Sequence, residues 1–359
     1  MERARWCVPG RIELIGKHVD YLGGRSLTCA TPWGLDITAT RHESSSGLPG
    51  LDDVYSRAVM QRLTRDFGAL PVGADICVSS TLPQAAGLSS SSAWVLGLLS
   101  ALAWANRLQE REDWVAAGLN EPLAFASYAA AIEGGNAWGP FAGDAGVGTQ
   151  GGAQDHLAIV CAEAGSVQQM GYLPARLEAR AAWPAEWALL VMHSGEVAEK
   201  TGAALAAFNR VAAQGHAGGA GRAAQFRREC EELVPAALAA IRDTDTTALG
   251  AAAAASQDGA EQVLRNQIPE TVALVQHARD CGAFAASAFG AGFGGAVWAA
   301  APAADADAVL HRWRSVYVGR FPERAAQVWA GVMTPASGMC AQNPNTSRSN
   351  APVSSGITL

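Results

Sequence analysis

Four serines in an uncharged loop, Pro83-Gln84-Ala85-Ala86-Gly87-Leu88-Ser89-Ser90-Ser91-Ser92-Ala93, are the residues best placed to do chemistry. The loop follows a strand-like run, Asp75 to Ser80, and opens a helix-like run from about Ala93 to Asn106. Small residues feeding a helix N-terminus gather backbone N–H groups and the positive end of the helix dipole at one point. That is a site for an anion, above all phosphate. The hydroxyls can also reach phosphate oxygens or a magnesium ion. The same residues would equally serve as a serine-rich N-cap on an ordinary buried helix.

Three other segments concentrate polar groups against glycine. In residues 9–24 a short apolar strand runs into Lys17-His18-Val19-Asp20-Tyr21 and the pair Gly23-Gly24. Such a cluster at a strand end suits hydroxyl recognition, and it also fits a polar β-turn with a local salt bridge. Residues 148–156 set Asp155 in a glycine-rich loop that includes Gly152, where a carboxylate can approach a ligand closely or act as a base. Aspartate in such a loop is also a common turn former. Glu133 falls at a predicted helix end, where an acid opposes the dipole and asks for a compensating cation; a metal would do. Residues 290–295 satisfy G-x-G-x-x-G, but strand-like Ala296-Val297-Trp298 follows rather than a helix, so the dinucleotide reading is rejected. A strand, glycine turn and strand better suit tight packing beneath the phosphate loop.

The elements that must position these groups change character along the chain. Strands are expected at Trp6 to Val8, Ile12 to Ile15 and Leu27 to Thr38, and a helix at Asp53 to Leu63. Helical material from about Asp113 to Glu133 breaks and restarts at Asn120-Glu121-Pro122. A glycine-rich loop covers 134–152, and Leu157 to Cys161 reads as a strand. Beyond Trp183-Pro184, Trp187 to His193 reads as a buried strand. Helices follow at about 198–213, 222–242, 246–256 and 260–279. Strands at 283–289 and 296–301, a helix at 304–318 and a strand at 326–333 complete the order β, helices, β, β, α, β. That order matches the ferredoxin-like split βαβ pattern. Residues 341–359 have the composition of a disordered tail.

At 359 residues the chain exceeds one comfortable core, so two domains are expected, 1–184 and 185–340. A hydrophobic content of 49% fits a soluble globular protein, and a net charge of −7 argues against a nucleic-acid or anionic-membrane partner. Seven scattered cysteines without a C-x-x-C pair suggest neither zinc nor a disulfide framework, and point to a reducing cytoplasm. The first residues lack the apolar stretch of a signal peptide. Only two lysines, Lys17 and Lys200, occur in an arginine-rich chain, so each invites attention as a site residue.

Taken together, segments 9–24, 83–93 and 287–295 resemble, in order and spacing, the three signatures of the GHMP kinases. That superfamily includes galactokinase, mevalonate kinase and homoserine kinase. The first segment is similar to the galactokinase signature, in which Gly-Arg precedes Glu-His-Thr-Asp-Tyr and Gly-Gly. The resemblance covers about Trp6 to Met333. It implies an α+β, two-domain GHMP kinase fold, with an N-terminal ribosomal-protein-S5-like domain and a C-terminal ferredoxin-like domain.

The function it implies is an ATP- and Mg2+-dependent sugar kinase, phosphorylating the anomeric hydroxyl of a small-molecule sugar, with no obligate protein partner. By resemblance, Arg11 stands near the transferred phosphate and Asp155 is the catalytic aspartate. His18 and Asp20 match sugar ligands, with Gly152 beside them. Gly87, Leu88, Ser89, Ser90, Ser91 and Ser92 match the triphosphate cradle, and Ser91 and Glu133 the magnesium ligands. Three departures stand out. Ala85 replaces a usual glycine. The interval from Glu133 to Asp155 is longer than in galactokinase. Lys17 stands where galactokinase has glutamate, so Lys17 is expected to favour a sugar with an anionic or acceptor-rich substituent, such as a uronic acid. The rival activities are a GHMP kinase for a non-sugar alcohol and a catalytically silent sugar sensor.

Overall fold

The computed structural model describes residues 2–43, 47–83, 86–196 and 202–343; the side chains of 202–204 are outside that description. Ala85, Lys200 and the tail beyond residue 343 lie outside the described residues. In chain order the elements begin with β1 (Arg3–Ile15), β2 (Arg25–His42), α1 (Val54–Phe67), β3 (Gly73–Ser80), α2 (Ser90–Ala105), α3 (Glu112–Ala116), α4 (Pro122–Gly134) and α5 (Gln154–Val160). They continue with β4 (Ser166–Gly171), β5 (Arg176–Ala182), β6 (Trp187–His193), α6 (Gly202–Ala217), α7 (Ala220–Arg227), α8 (Val234–Arg242), α9 (Thr246–Gly259) and α10 (Pro269–Asp280). The last are β7 (Ala285–Ala288), β8 (Ala296–Pro302), α11 (Ala306–Arg320), β9 (Ala330–Met333) and β10 (Cys340–Gln342). Two π-helical stretches, Arg228–Leu233 and Ala260–Leu264, continue α7 and α9.

Two antiparallel sheets organise these elements. The larger runs β10-β1-β2-β4-β5, with β3 pairing the far half of β2. The smaller runs β7-β8-β6-β9, the order of the split βαβ pattern. Strand β6 is buried along its whole length because both faces are covered. Leu190 and Met192 pack with Leu274, Val309 and Trp313 of α10 and α11. Leu189 and Val191 face the main core, which α1, α2 and α4 share with the large sheet. Helix α2 is apolar on every side and almost wholly buried. Its N-terminal end is where the serine loop emerges.

Two expectations need correction, and two strands go unannounced in the sequence. Residues 157–161 do not form a strand; Leu157 to Val160 complete α5, because a short apolar run does not declare its period. Strands β4 and β5 had no reading in the sequence; β5 is arginine-rich and half exposed, so it lacks a buried-strand signature. Ala341 and Gln342 are not tail: they pair with Trp6 and Arg5 as an edge strand of the large sheet. Among the described residues no helix is long and apolar enough to cross a membrane.

Candidate active site

The serine-loop segment is fastened to β1 at a bulge. The β1–β2 register shifts between Pro9 and Arg11, which is where proline is tolerated in a sheet and where a side chain can be re-aimed. A Cβ at Gly10 would lie 2.7 Å from the Leu88 carbonyl, so only glycine allows this approach. The Arg11 N–H donates to that carbonyl at 3.2 Å. Gly87 and Ser89 both take left-handed backbone angles, φ 73° and 63°. Ser89 occupies the N-cap of α2, yet its side chain makes no capping bond. Its hydroxyl donates instead to Asp155 Oδ2 at 2.6 Å. An ordinary serine cap is therefore not what this loop builds.

Arg11 and Asp155 meet directly. Arg11 Nε donates to Asp155 Oδ1 at 2.7 Å, Nη2 lies 2.6 Å from the same oxygen, and Nη1 donates to the Gly87 carbonyl at 2.7 Å. The guanidinium is buried, and its fork joins Asp155 to the serine loop. The third glycine segment lies against both: a Cβ at Gly290 would sit 3.5 Å from the Gly87 carbonyl and 3.7 Å from Arg11 Nη2. Segments 9–24, 83–93, 148–156 and 287–295 thus converge.

Asp20 borders this point. Its Oδ2 accepts from the Gln154 N–H at 3.3 Å, and a Cβ at Gly152 would meet that oxygen at 2.5 Å, which explains glycine there. Burial, reinforced by the nearby Asp155, holds the Asp20 carboxyl above its ordinary range. His18 is buried, with Nε2 3.0 Å from the Ala291 carbonyl and Nδ1 3.0 Å from the Tyr21 hydroxyl. A carbonyl can only accept, so Nε2 carries the proton and Nδ1 accepts from Tyr21. Burial lowers the His18 pKa to about 4, so the ring is neutral near pH 7. Both ring nitrogens are committed to the protein, and the Phe208 ring lies 5.3 Å away. From α6, Asn209 accepts from the Gln150 N–H and donates to the Gly148 carbonyl, clamping the loop that leads to Asp155. Nothing in the spacing of Asn209 or Phe208 announced these roles.

Glu133 closes α4 beside the start of α2. Its Oε2 accepts from Ser92 Oγ at 2.9 Å, and His156 Nε2 lies 3.1 Å from the same oxygen. The carboxylate and Ser91 are both buried. No group of three or more His, Cys, Asp or Glu that could hold a metal occurs among the described residues. Carboxylate and hydroxyl oxygens beside the serine loop are nonetheless a hard donor set. They suit magnesium, which completes its shell with water and substrate phosphate.

Lys17 does not take the place expected of it. It is 1% exposed, and Nζ donates to Ser256 Oγ at 2.8 Å and Ser287 Oγ at 2.9 Å. The side chain turns inward toward α9 and β7, where these two buried hydroxyls accept from it. The same interior holds Glu13, whose Oε1 has no hydrogen-bond partner. Burial raises the Glu13 pKa to about 7, against the opposing pull of Lys17 and Arg11. A carboxyl whose folded pKa exceeds its unfolded value of 4.5 makes the fold lose stability as pH rises from 4.5 to about 7. Glu13→Gln is therefore expected to gain about 3 kcal/mol over the parent at pH 8, on the scale of 1.36 kcal/mol per pKa unit, and to lose that advantage below the unfolded pKa. Urea unfolding at pH 4 and pH 8 measures it; an equal gap at both would contradict the assignment.

Three family models match this chain. The galactokinase galactose-binding signature matches residues 2–41, the GHMP kinases N terminal domain 54–139, and the GHMP kinases C terminal region 237–319. Together they cover more than half of the sequence, in the order the fold requires. The chain belongs to the GHMP kinase superfamily. Among curated relatives of this GHMP kinase, the galactokinase of Bacillus subtilis (strain 168) is 33% identical over 107 residues, 23% of this chain and 27% of the relative. The galactokinase of Glaesserella parasuis serovar 5 is 28% identical over 106 residues, 24% of this chain and 28% of the relative. These alignments span about a quarter of the length of the curated relatives. Solved structures share the fold over nearly the whole chain. Lactococcus lactis galactokinase complexed with galactose superposes with a TM-score of 0.79 at 18% identity, covering 94% of this chain and 95% of the other. L. major mevalonate kinase in complex with R-mevalonate gives 0.61 at 17% identity, covering 92% and 96%.

Proposed function

We propose that this GHMP kinase transfers the γ-phosphoryl group of ATP to a hydroxyl of a monosaccharide, the anomeric one, in a galactokinase-like reaction. The observation that carries this reading is the contact of Arg11 with both Asp155 and the Gly87 carbonyl. It puts a fixed cation between a carboxylate and a loop suited to phosphate. Asp155 would orient the acceptor hydroxyl or take its proton, and Arg11 would stabilise charge developing on the transferred group. Such positioning and electrostatics make up most of phosphoryl-transfer catalysis. Asp20, with the His18 turn behind it and Gly152 against it, supplies the sugar side. The backbone of 87–92 would cradle the phosphates. Ser91 and Glu133 would hold Mg2+, which neutralises phosphate charge when bound. The galactose-binding signature over residues 2–41 favours a sugar over another alcohol. Arg11 and Asp155 together favour an enzyme over a silent sensor. The scattered cysteines, with no C-x-x-C pair, are in keeping with a cytoplasmic setting.

The test is ADP release over a panel of galactose, fucose, galacturonate, a heptose, mevalonate and homoserine. Turnover with a sugar alone is expected. Turnover with mevalonate or homoserine alone, or ATP binding without turnover of any acceptor, would replace this reading with one of its rivals.

A further inference from the structure

The turn that carries His18 and Asp20 is strained and is held from outside. Gly16 has φ 113° and His18 φ 55°. A left-handed histidine persists only where its surroundings over-determine it. A Cβ at Gly16 would fall 2.3 Å from Ser26 Cβ, so only glycine fits against β2 at this point. Its backbone is fixed instead by a residue far along the chain. Glu229 Oε1 accepts from the Gly16 N–H at 2.9 Å and from the Lys17 N–H at 3.3 Å. The same oxygen accepts from Ser256 Oγ at 2.6 Å, and Ser256 in turn receives the Lys17 ammonium. Lys17 also donates to Ser287 on β7, whose hydroxyl donates to Gln257 Oε1 at 3.2 Å. From α7, Arg222 donates to the His18 carbonyl.

Glu229 lies in the π-helical stretch Arg228–Leu233. Such insertions are frequent at functional sites. A lysine, a glutamate and two serines, all buried, are rarely a better source of stability than apolar side chains of the same volume. Their distinctive product is geometry.

We propose that Lys17 and Glu229, joined through Ser256, are a positioning pair that holds the 16–20 turn in its left-handed form and so sets sugar affinity without touching the sugar. The proposal rests on the sugar-kinase reading for its kinetic consequence and on the fold alone for its structural one. Reversal of charge at position 17 relative to the galactokinase motif then marks a change in how the turn is held, not in which sugar is read.

The full-length chain is compared with Lys17→Met, Glu229→Gln, Ser256→Ala and the double variant Lys17→Met/Glu229→Gln. Ser256→Ala removes only the hydroxyl relay and serves if Lys17→Met does not fold. Hydrogen exchange of a peptide covering 16–24 is expected to quicken by about tenfold or more in Lys17→Met and Ser256→Ala, with the peptide covering 86–95 unchanged. KM for the sugar that the panel selects is expected to rise about tenfold, with KM for ATP within about twofold and kcat within about threefold. The double variant, which removes the Lys17 and Glu229 charges together, is expected to recover part of the loss. Exchange that quickens evenly along the chain, or a sugar KM that stays put in folded variants, would overturn the pair as a positioning device. Failure of the wild type to turn over any sugar would remove the sugar-kinase reading and leave the exchange comparison to decide the pair.

Discussion

Replacing Asp155 with asparagine is expected to lower turnover by about a hundredfold or more, the usual range for a positioned acid or base. The substitution keeps the size of the side chain and removes its charge and basicity. In the native site Asp155 faces Arg11 at 2.6–2.7 Å and receives the Ser89 hydroxyl at 2.6 Å. An amide there satisfies Ser89 but leaves the buried Arg11 without its counter-charge. ATP affinity, which depends on the backbone of the serine loop, is expected to hold. Steady-state turnover together with calorimetric ATP titration separates the two effects. Near-normal turnover would make Asp155 a loop former and move the catalytic role elsewhere.

Gly87→Val is expected to weaken ATP binding by about a hundredfold, close to 3 kcal/mol at 1.4 kcal/mol per tenfold. Gly87 has φ 73°, a conformation that a β-branched residue tolerates poorly. Its nearest neighbour across the loop, Gly295 Cα, would be 3.9 Å from an added Cβ, so no wall of protein rejects the side chain. The cost arises from the backbone and from bulk placed where a phosphate must approach. A shift of this carbonyl also loosens Arg11, which donates to it at 2.7 Å. Calorimetry on the folded variant checks this; unchanged ATP affinity would mean that the loop does not cradle the nucleotide.

The convergence of the candidate site was legible because its residues sit in short segments whose chemistry is local. Glycine-rich turns beside Arg11, Asp155 and the serines announce close backbone approach, and that approach does not depend on distant partners. Lys17 was misleading for the opposite reason. Its neighbours in sequence, His18 and Asp20, do border the site, but its own partners are Ser256 and Ser287, more than two hundred residues away. Burial of that kind has no signature within a motif. Glu229, Arg222 and Asn209 were invisible for the same reason, being ordinary polar residues on helices until the fold brings the first two to the 16–20 turn and Asn209 to the loop before Asp155. The order of the second sheet was readable from alternating strands and helices. Strands β4 and β5 were not, since β4 buries the polar pair Gln168-Gln169 and β5 is half exposed and carries arginines, so neither shows a core pattern. Strand β10 was hidden by its length, three residues at an edge.

The most direct measurement of the central claim is phosphorus NMR of the wild-type protein with ATP, Mg2+ and the sugar that the panel selects. The account predicts that the γ-phosphate signal disappears only when the sugar is present. A sugar 1-phosphate doublet, coupled to the anomeric proton, should grow in its place, and the Asp155→Asn variant should form it at least about a hundredfold more slowly. Loss of the γ-phosphate to inorganic phosphate alone, or a phosphorylated product unaffected by Asp155→Asn, would contradict it.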